Sequence, residues 1–271
     1  LTDENMKEIG ESLFEAGRKL CREAFYVEMT PRTLNGEEPP EQIAELMKSV
    51  DVVMCPTTKS LTHTNARREA SKQGVRIGTM PGISSDALIR CISANPKEIV
   101  EMNERLSLIL KNTNEIRVTT KLGTDITFQI KNRRILSSTG ILKNIGESGN
   151  IPSGEVYVAP QEGKTNGVVV FDGSIAGIGI LESPVTIEIN DGFAEKFGGK
   201  GPEAKRLEKM LQDVGKYARA VAEFGIGTNP KAKITGDIIE DEKVLGTIHV
   251  AFGNNVSMGG KINVPIHIDG I

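Results

Sequence analysis

The hydrophobic pattern changes once along the chain, near Asn114, and this change constrains the fold more than any other sequence feature. Before it, short apolar runs at residues 50–55 and 75–80 alternate with segments of helical periodicity. Strands that alternate with helices usually form a parallel sheet covered by helices. The sequence therefore predicts an N-terminal α/β domain with a mostly parallel sheet over residues 1–114.

From residue 116 onward, runs of alternating polarity are separated by glycine-rich turns and interrupted by one helical segment at residues 202–217. The chain has 29 glycines but only 4% aromatic residues, a composition that favours tight turns and aliphatic strands. This pattern predicts a C-terminal β-rich α+β domain over residues 115–271, and we expect it to carry a metal site because the candidate ligands described below all lie in it. The expected fold class is α/β with two domains.

Charge, hydropathy and cysteine usage exclude several classes of protein. Thirty-three basic and 36 acidic residues leave a formal charge of -3, which gives no positive surface for nucleic acid or an anionic membrane. No apolar run approaches the ~20 residues that a bilayer span requires. The three cysteines are too few and too widely spaced for a disulfide framework or a metal knuckle. We expect a cytoplasmic protein that binds neither nucleic acid nor membranes.

Two of the three histidines lie within the last 23 residues, in segments with strand character. His267 and Asp269 are two positions apart in an extended run, so their side chains point to the same face and can hold one metal ion. His249 lies in an apolar, glycine-bounded strand, where a buried imidazole needs a partner. His63 begins a helix in the first half, and we expect it to be a surface or capping residue.

Two glutamates have similar surroundings. Glu155 and Glu223 are single acids among small and apolar residues, and glutamate is rarely buried unless it is paired or bound to a cation. Ordinary structural roles remain open, because Glu155 could accept hydrogen bonds from a glycine-rich turn and Glu223 could pair with Arg219. Taken together, five oxygen and nitrogen ligands suit two divalent ions about 3.5–4 Å apart that activate a water molecule.

Four ordered blocks, at residues 150–160, 222–229, 246–253 and 267–269, resemble the metal-ligand regions of the M29 metallopeptidases, the aminopeptidase T family. The resemblance implies a homodimeric hydrolase that removes the N-terminal residue of a peptide or related small substrate. It also implies catalytic roles for Glu155 and Glu223 and two zinc or cobalt ions held by Glu155, Glu223, His249, His267 and Asp269. That family carries a tyrosine shortly after the third-block histidine, and none follows His249 here.

Two other interpretations remain. The shorter relatives of this fold resemble 2,5-dihydroxypyridine ring-cleaving dioxygenases, for which His249, His267 and Asp269 would hold one iron(II) ion. The other is a degenerate scaffold that keeps the fold and binds a small molecule without turnover. We favour the aminopeptidase because it alone uses all five candidate ligands.

Overall fold

The computed structural model describes residues 1–271, which divide into two compact units. The first consists of Leu1–Pro96 and Gly140–Ser153, and the second of Lys97–Thr139 and Gly154–Ile271. The division into domains 1–114 and 115–271 stays a prediction. By its contacts, the helix that precedes residue 114 belongs to the second unit.

The helices and strands are as follows. The α-helices are α1 (Lys7–Leu20), α2 (Glu41–Lys48), α3 (Asn65–Lys72), α4 (Ser85–Ile92), α5 (Pro96–Lys111), α6 (Glu203–Val214) and α7 (Ile238–Asp241). The strands are β1 (Thr2–Asp3), β2 (Glu28–Met29), β3 (Val52–Thr57), β4 (Arg76–Pro81), β5 (Glu115–Thr119), β6 (Asp125–Gln129), β7 (Leu136–Ser138), β8 (Ser148–Asn150), β9 (Glu155–Val158), β10 (Asn166–Phe171), β11 (Ser174–Ile175), β12 (Gly179–Ile180), β13 (Val185–Asn190), β14 (Phe193–Gly199), β15 (Val221–Gly227), β16 (Ile248–Gly253) and β17 (His267–Gly270).

The first unit contains a three-stranded parallel sheet in the order β3-β4-β8, and a short parallel pair of β1 and β2. The predicted parallel pairing of the strands near residues 50–55 and 75–80 is confirmed, with Val52 opposite Arg76. Their inward side chains, such as Cys55 and Ile77, are fully buried in this unit's core. The third strand, β8, was not predicted because its sequence, Ser-Gly-Asn, carries no apolar signal.

The helices of this unit begin where side chains satisfy free backbone N–H groups. The hydroxyl of Thr64 accepts a hydrogen bond from the Arg67 N–H at the start of α3, and Ser84 accepts one from Ala87 at the start of α4. These caps explain why the helical patterns start at those residues.

The second unit contains two antiparallel sheets. Five strands follow the order β14-β13-β10-β6-β5, and seven follow the order β12-β11-β17-β16-β15-β9-β7. One core joins the inner faces of these strands with Leu207 and Leu211 of α6, and the rings of Phe128 and Phe224 lie 4.9 Å apart within it. The predicted β-rich second part is confirmed, and so is the α/β fold class. None of the helices has the length and apolar composition to cross a membrane.

Candidate metal centre

Antiparallel register places all five predicted site residues on one face of four neighbouring strands. Across the strands, Glu155 is paired with Gly227, His249 with Gly225, and His267 with Gly253. Ala251 of β16 lies opposite both Glu223 and Asp269. Directly opposed residues share a face, and so does every second residue of a strand. The alternate residues Phe224, Val250 and Ile268 point the other way, into the hydrophobic core.

Small residues on the same face make room for the polar side chains. A Cβ atom on Gly225 would lie 2.0 Å from Nε2 of His249, which is far inside van der Waals contact. Gly225 is therefore required by the imidazole beside it, rather than by a turn. The alternation of glycine with larger residues in β15 reflects this division between a polar face and a core face.

Glu223 is the centre of the cluster. Its Oε1 lies 3.2 Å from Nε2 of His249, and its Oε2 lies 3.3 Å from Nε2 of His267. Asp269 extends the cluster, with Oδ1 3.5 Å from the same His267 nitrogen. Glu155 lies on the other side, with Oε2 3.6 Å from Nε2 of His249. The structure thus brings all five predicted residues together.

Burial and the neighbouring charges shift the pKa values of these groups in opposite directions. Burial raises the pKa of Glu223, but hydrogen bonds from His249 and His267 outweigh it and lower the pKa to about 2. Burial lowers the pKa of His249, but the hydrogen bond and negative charge of Glu223 raise it to about 9. His267, whose side chain is 33% exposed, also has a raised pKa: burial opposes the shift, but Asp269 and Glu223 outweigh it. Each imidazole thus lies between two carboxylates, which favour its charged form.

The donor set fits a divalent metal ion. Nδ1 of His267 lies 2.7 Å from the carbonyl oxygen of Asn254, which only accepts, so Nδ1 carries the hydrogen and Nε2 is left to face the carboxylates. Two buried atoms, Nδ1 of His249 and Oδ1 of Asp269, make no hydrogen bond. Oδ1 of Asp269 instead faces Nε2 of His267 at 3.5 Å, and a carboxylate oxygen close to an imidazole nitrogen is a pair of donors that a divalent cation can use.

Two further residues of the site, Glu242 and Lys243, were missed from the sequence. Lys243 is only 1% exposed; its Nζ lies 2.9 Å from Oε1 of Glu155 and also contacts Glu242. Burial raises the pKa of Glu242 to about 8, while the two glutamates raise the pKa of Lys243 against its own burial. Both residues end a run of four charges at 240–243, which in sequence is typical of a solvated helix face.

Asn103 was also missed. This residue of α5 is fully buried, donates a 2.9 Å hydrogen bond to the carbonyl oxygen of Glu155, and accepts a 2.6 Å hydrogen bond from the Thr228 hydroxyl. It therefore ties the beginning of β9 to the end of β15. A single asparagine on one helix face gives no signal of this role in the sequence.

Sequence comparisons identify relatives that are dioxygenases. The model of one family, described as NicX: 2,5-dihydroxypyridine 5,6-dioxygenase, matches residues 13–270. A curated relative, the 2,5-dihydroxypyridine 5,6-dioxygenase of Pseudomonas putida KT2440, is 25% identical over 244 residues. That alignment covers 82% of this chain and 66% of the relative.

Two solved structures share the fold. The 2,5-dihydroxypyridine dioxygenase of Pseudomonas putida KT2440 superposes with a TM-score of 0.82 at 19% identity, covering 99% of this chain and 84% of the other. Wild-type AmpT from Thermus thermophilus superposes with a TM-score of 0.68 at 14% identity, covering 100% of this chain and 86% of the other.

The predicted aminopeptidase activity is wrong, since the family model and the curated relative both indicate a dioxygenase. These comparisons point to an oxidoreductase rather than a peptide hydrolase, and they do not support two zinc or cobalt ions. The four sequence blocks form neighbouring strands of a fold that AmpT shares. They indicate where the polar face lies and do not specify which reaction takes place there.

Proposed function

The chain belongs to the 2,5-dihydroxypyridine 5,6-dioxygenase family, and on that premise we propose that it is a ring-cleaving dioxygenase that acts on a dihydroxylated pyridine with one iron(II) ion. Membership of this family implies a metal cofactor and a small-molecule substrate. The observation that carries the proposal is that His249 and His267 each lie beside one oxygen of Glu223 on one polar face of the sheet, with Asp269 beside His267.

His249, His267 and Asp269 would hold the iron as two histidines and one carboxylate. This ligand set leaves positions open for other molecules and is the one that non-haem iron oxygenases use. When bound, iron(II) supplies the one-electron chemistry that allows dioxygen to react with an aromatic ring. The five site residues contain no thiolate, which agrees with this choice of metal over a structural zinc site.

The chain's own residues prepare that site. The Asn254 carbonyl fixes the tautomer and orientation of His267, and Glu223 orients both imidazoles by holding one carboxylate oxygen near each. The partial exposure of His267 makes it the ligand most open to solvent, whereas His249 is fully buried. Catalytic roles for Glu155 and Glu223 stay predictions.

Oxygen consumption tests the proposal. Anaerobically purified protein would be loaded with iron(II) and mixed with 2,5-dihydroxypyridine in air-saturated buffer, with dioxygen and substrate followed together. We expect equal amounts of the two to be consumed, no hydrolysis of leucine p-nitroanilide, and loss of activity in His267→Ala. Glu182→Gln, on an exposed turn, is the matched surface control. Iron-loaded, folded protein that consumes no dioxygen with this substrate would contradict the proposal.

The expected homodimer and the cytoplasmic location also stay predictions. Light scattering during size-exclusion chromatography tests the first, and cell fractionation tests the second.

A further inference from the structure

The connection between β16 and β17 supplies the hydrogen-bond partner of a proposed metal ligand. Nδ1 of His267 donates to the carbonyl oxygen of Asn254 at 2.7 Å, and this bond leaves Nε2 available for a metal ion. The connection itself has little regular structure, since its one helical turn is Val256–Met258. The Asn254 carbonyl is therefore held in place by contacts other than those of a strand or a long helix.

The peptide group between Asn254 and Asn255 is held on both sides. A peptide group is planar, so the direction of the Asn254 carbonyl is tied to that of the Asn255 N–H. This N–H donates to the Ile262 carbonyl oxygen at 3.1 Å. The side chain of Asn255 makes a second link, because its Oδ1 accepts a hydrogen bond from the Ile262 N–H at 2.8 Å. These bonds of a fully buried residue thus orient the carbonyl that His267 contacts.

One carboxylate away from the candidate metal ligands anchors this arrangement. Oε1 of Glu162, in the connection between β9 and β10, accepts from the Lys261 N–H at 2.8 Å and from Nδ2 of Asn255 at 3.2 Å. Its Oε2 pairs with the guanidinium of Arg133, whose Nη2 also donates to the Pro160 carbonyl oxygen at 2.9 Å. The side chains of Glu162 and Arg133 are only 23% and 14% exposed, so water screens this pair less than a surface ion pair.

Packing also restricts the Asn255 side chain. A Cβ atom on Gly260 would collide with the Asn255 amide, so the close approach of the two residues requires glycine. The Gly260 N–H donates to the Asn255 carbonyl oxygen at 2.9 Å. Shape as well as hydrogen bonding therefore fixes this residue in front of Glu162.

We propose that Glu162 is a positioning residue for the metal centre: through Asn255 it fixes the peptide group that sets the tautomer and orientation of His267. The side chain of Glu162 contacts Arg133 and the β16–β17 connection, and none of its bonds goes to a proposed ligand. The inference rests on the proposed function, because it takes His267 as a metal ligand, but it does not depend on the substrate or the reaction.

Nuclear magnetic resonance of protein with isotopically labelled histidine tests the inference, with zinc(II) as a diamagnetic probe. The chain has three histidines, and His267→Ala identifies the signals of the last one. In wild-type protein we expect His267 to show a slowly exchanging proton on Nδ1. Glu162→Ala should speed the exchange of this proton by about tenfold or more and weaken zinc binding by about tenfold.

Two further variants separate position from charge. Glu162→Gln keeps an oxygen that can accept from Asn255 and Lys261, so the proton signal should persist and the zinc Kd should stay within about threefold of wild type. Asn255→Asp removes the donor to Glu162 and should reproduce the losses of Glu162→Ala. Glu208→Ala, which removes an ion pair with Arg219 in the same unit, is the matched control and should change neither quantity.

Four results would overturn the inference, with folding established by circular dichroism. They are a wild-type His267 without the protected proton, wild-type behaviour in Glu162→Ala, equal losses in Glu162→Gln and Glu162→Ala, and the same loss in Glu208→Ala. If Glu162→Ala does not fold, the comparison of Asn255→Asp with Glu162→Gln decides the question. The proposed function fails separately, when the wild type shows the His267 proton with zinc but its iron-loaded form consumes no dioxygen with 2,5-dihydroxypyridine.

Discussion

The carboxylate of Glu223 lies between His249 and His267, with one oxygen 3.2 Å from the first imidazole and the other 3.3 Å from the second. The two histidines come from strands that are neighbours in the sheet, and Glu223 comes from the strand on the other side of His249. Glu223 therefore couples the orientation of one ligand to that of the other.

Glu223→Gln removes the negative charge while keeping the side chain's size. We expect metal affinity and dioxygen consumption to fall by about tenfold or more, because an amide cannot hold both imidazoles with the same charge and geometry. Metal titration and an oxygen electrode measure the two effects. Glu182→Gln is the control, and unchanged affinity in Glu223→Gln would show that the bridge is dispensable.

Gly225→Ala should displace His249 without introducing charge. The new methyl group would lie 2.0 Å from Nε2 of His249, so the imidazole or the strand must move. We expect weaker metal binding and a free energy of unfolding lowered by about 1–3 kcal/mol, the usual cost of overpacking. Gly198→Ala on β14 is the matched control, since its Cβ would meet only ordinary contacts. Equal metal affinity in the two variants would contradict the argument.

Asn103→Ala should destabilise the protein through β9. The variant leaves the Glu155 carbonyl oxygen and the Thr228 hydroxyl without their buried partner. We expect a loss of about 1–3 kcal/mol in the free energy of unfolding, measured by urea denaturation. Asn112→Ala, which removes an exposed hydrogen bond to Leu108 in the same helix, should change it by less than about 0.5 kcal/mol. If Asn103→Ala and Asn112→Ala lowered the free energy of unfolding by similar amounts, the proposed structural role of Asn103 would be contradicted.

Asp237 should make stability depend on pH. Burial raises the pKa of this α7 cap from 3.8 to about 6. The folded state therefore binds more protons than the unfolded state in that interval, and stability falls as pH rises through it. Asp237→Asn keeps a capping side chain and should match the wild type at pH 4 but exceed it above pH 6. Urea midpoints at several pH values test this, and a constant difference between the proteins would contradict it.

The sequence predicted the polar face of the sheet because alternation in a strand has a period of two, which settles the side of each residue. Thus His267 and Asp269 were predicted to share a face, and in the structure Nε2 of His267 lies 3.5 Å from Oδ1 of Asp269. The burial of Lys243 was not predicted, because it depends on the turn that follows α7. A run of charged residues has no periodicity from which such a turn can be predicted. β8 escaped because backbone pairing alone incorporates its three small and polar residues.

The reaction could not be predicted from the same residues. Imidazoles and carboxylates bind zinc, cobalt and iron alike, so the choice between hydrolysis and oxygen chemistry is not fixed by ligand type. Choosing the aminopeptidase because it used all five candidates assumed that every buried acid was a metal ligand. The contact between Glu155 and Lys243 provides another explanation for one of them.

The position of β8 in the chain has a consequence for synthesis on the ribosome. Residues 148–150 complete the sheet of the first unit, although 43 residues of the second unit, Lys97–Thr139, are made before them. A nascent chain that ends near residue 114 therefore leaves the Ile77 edge of β4 without its strand partner. We expect the first unit to finish folding only after residue 150 has left the exit tunnel, so its folding cannot simply precede that of the second unit.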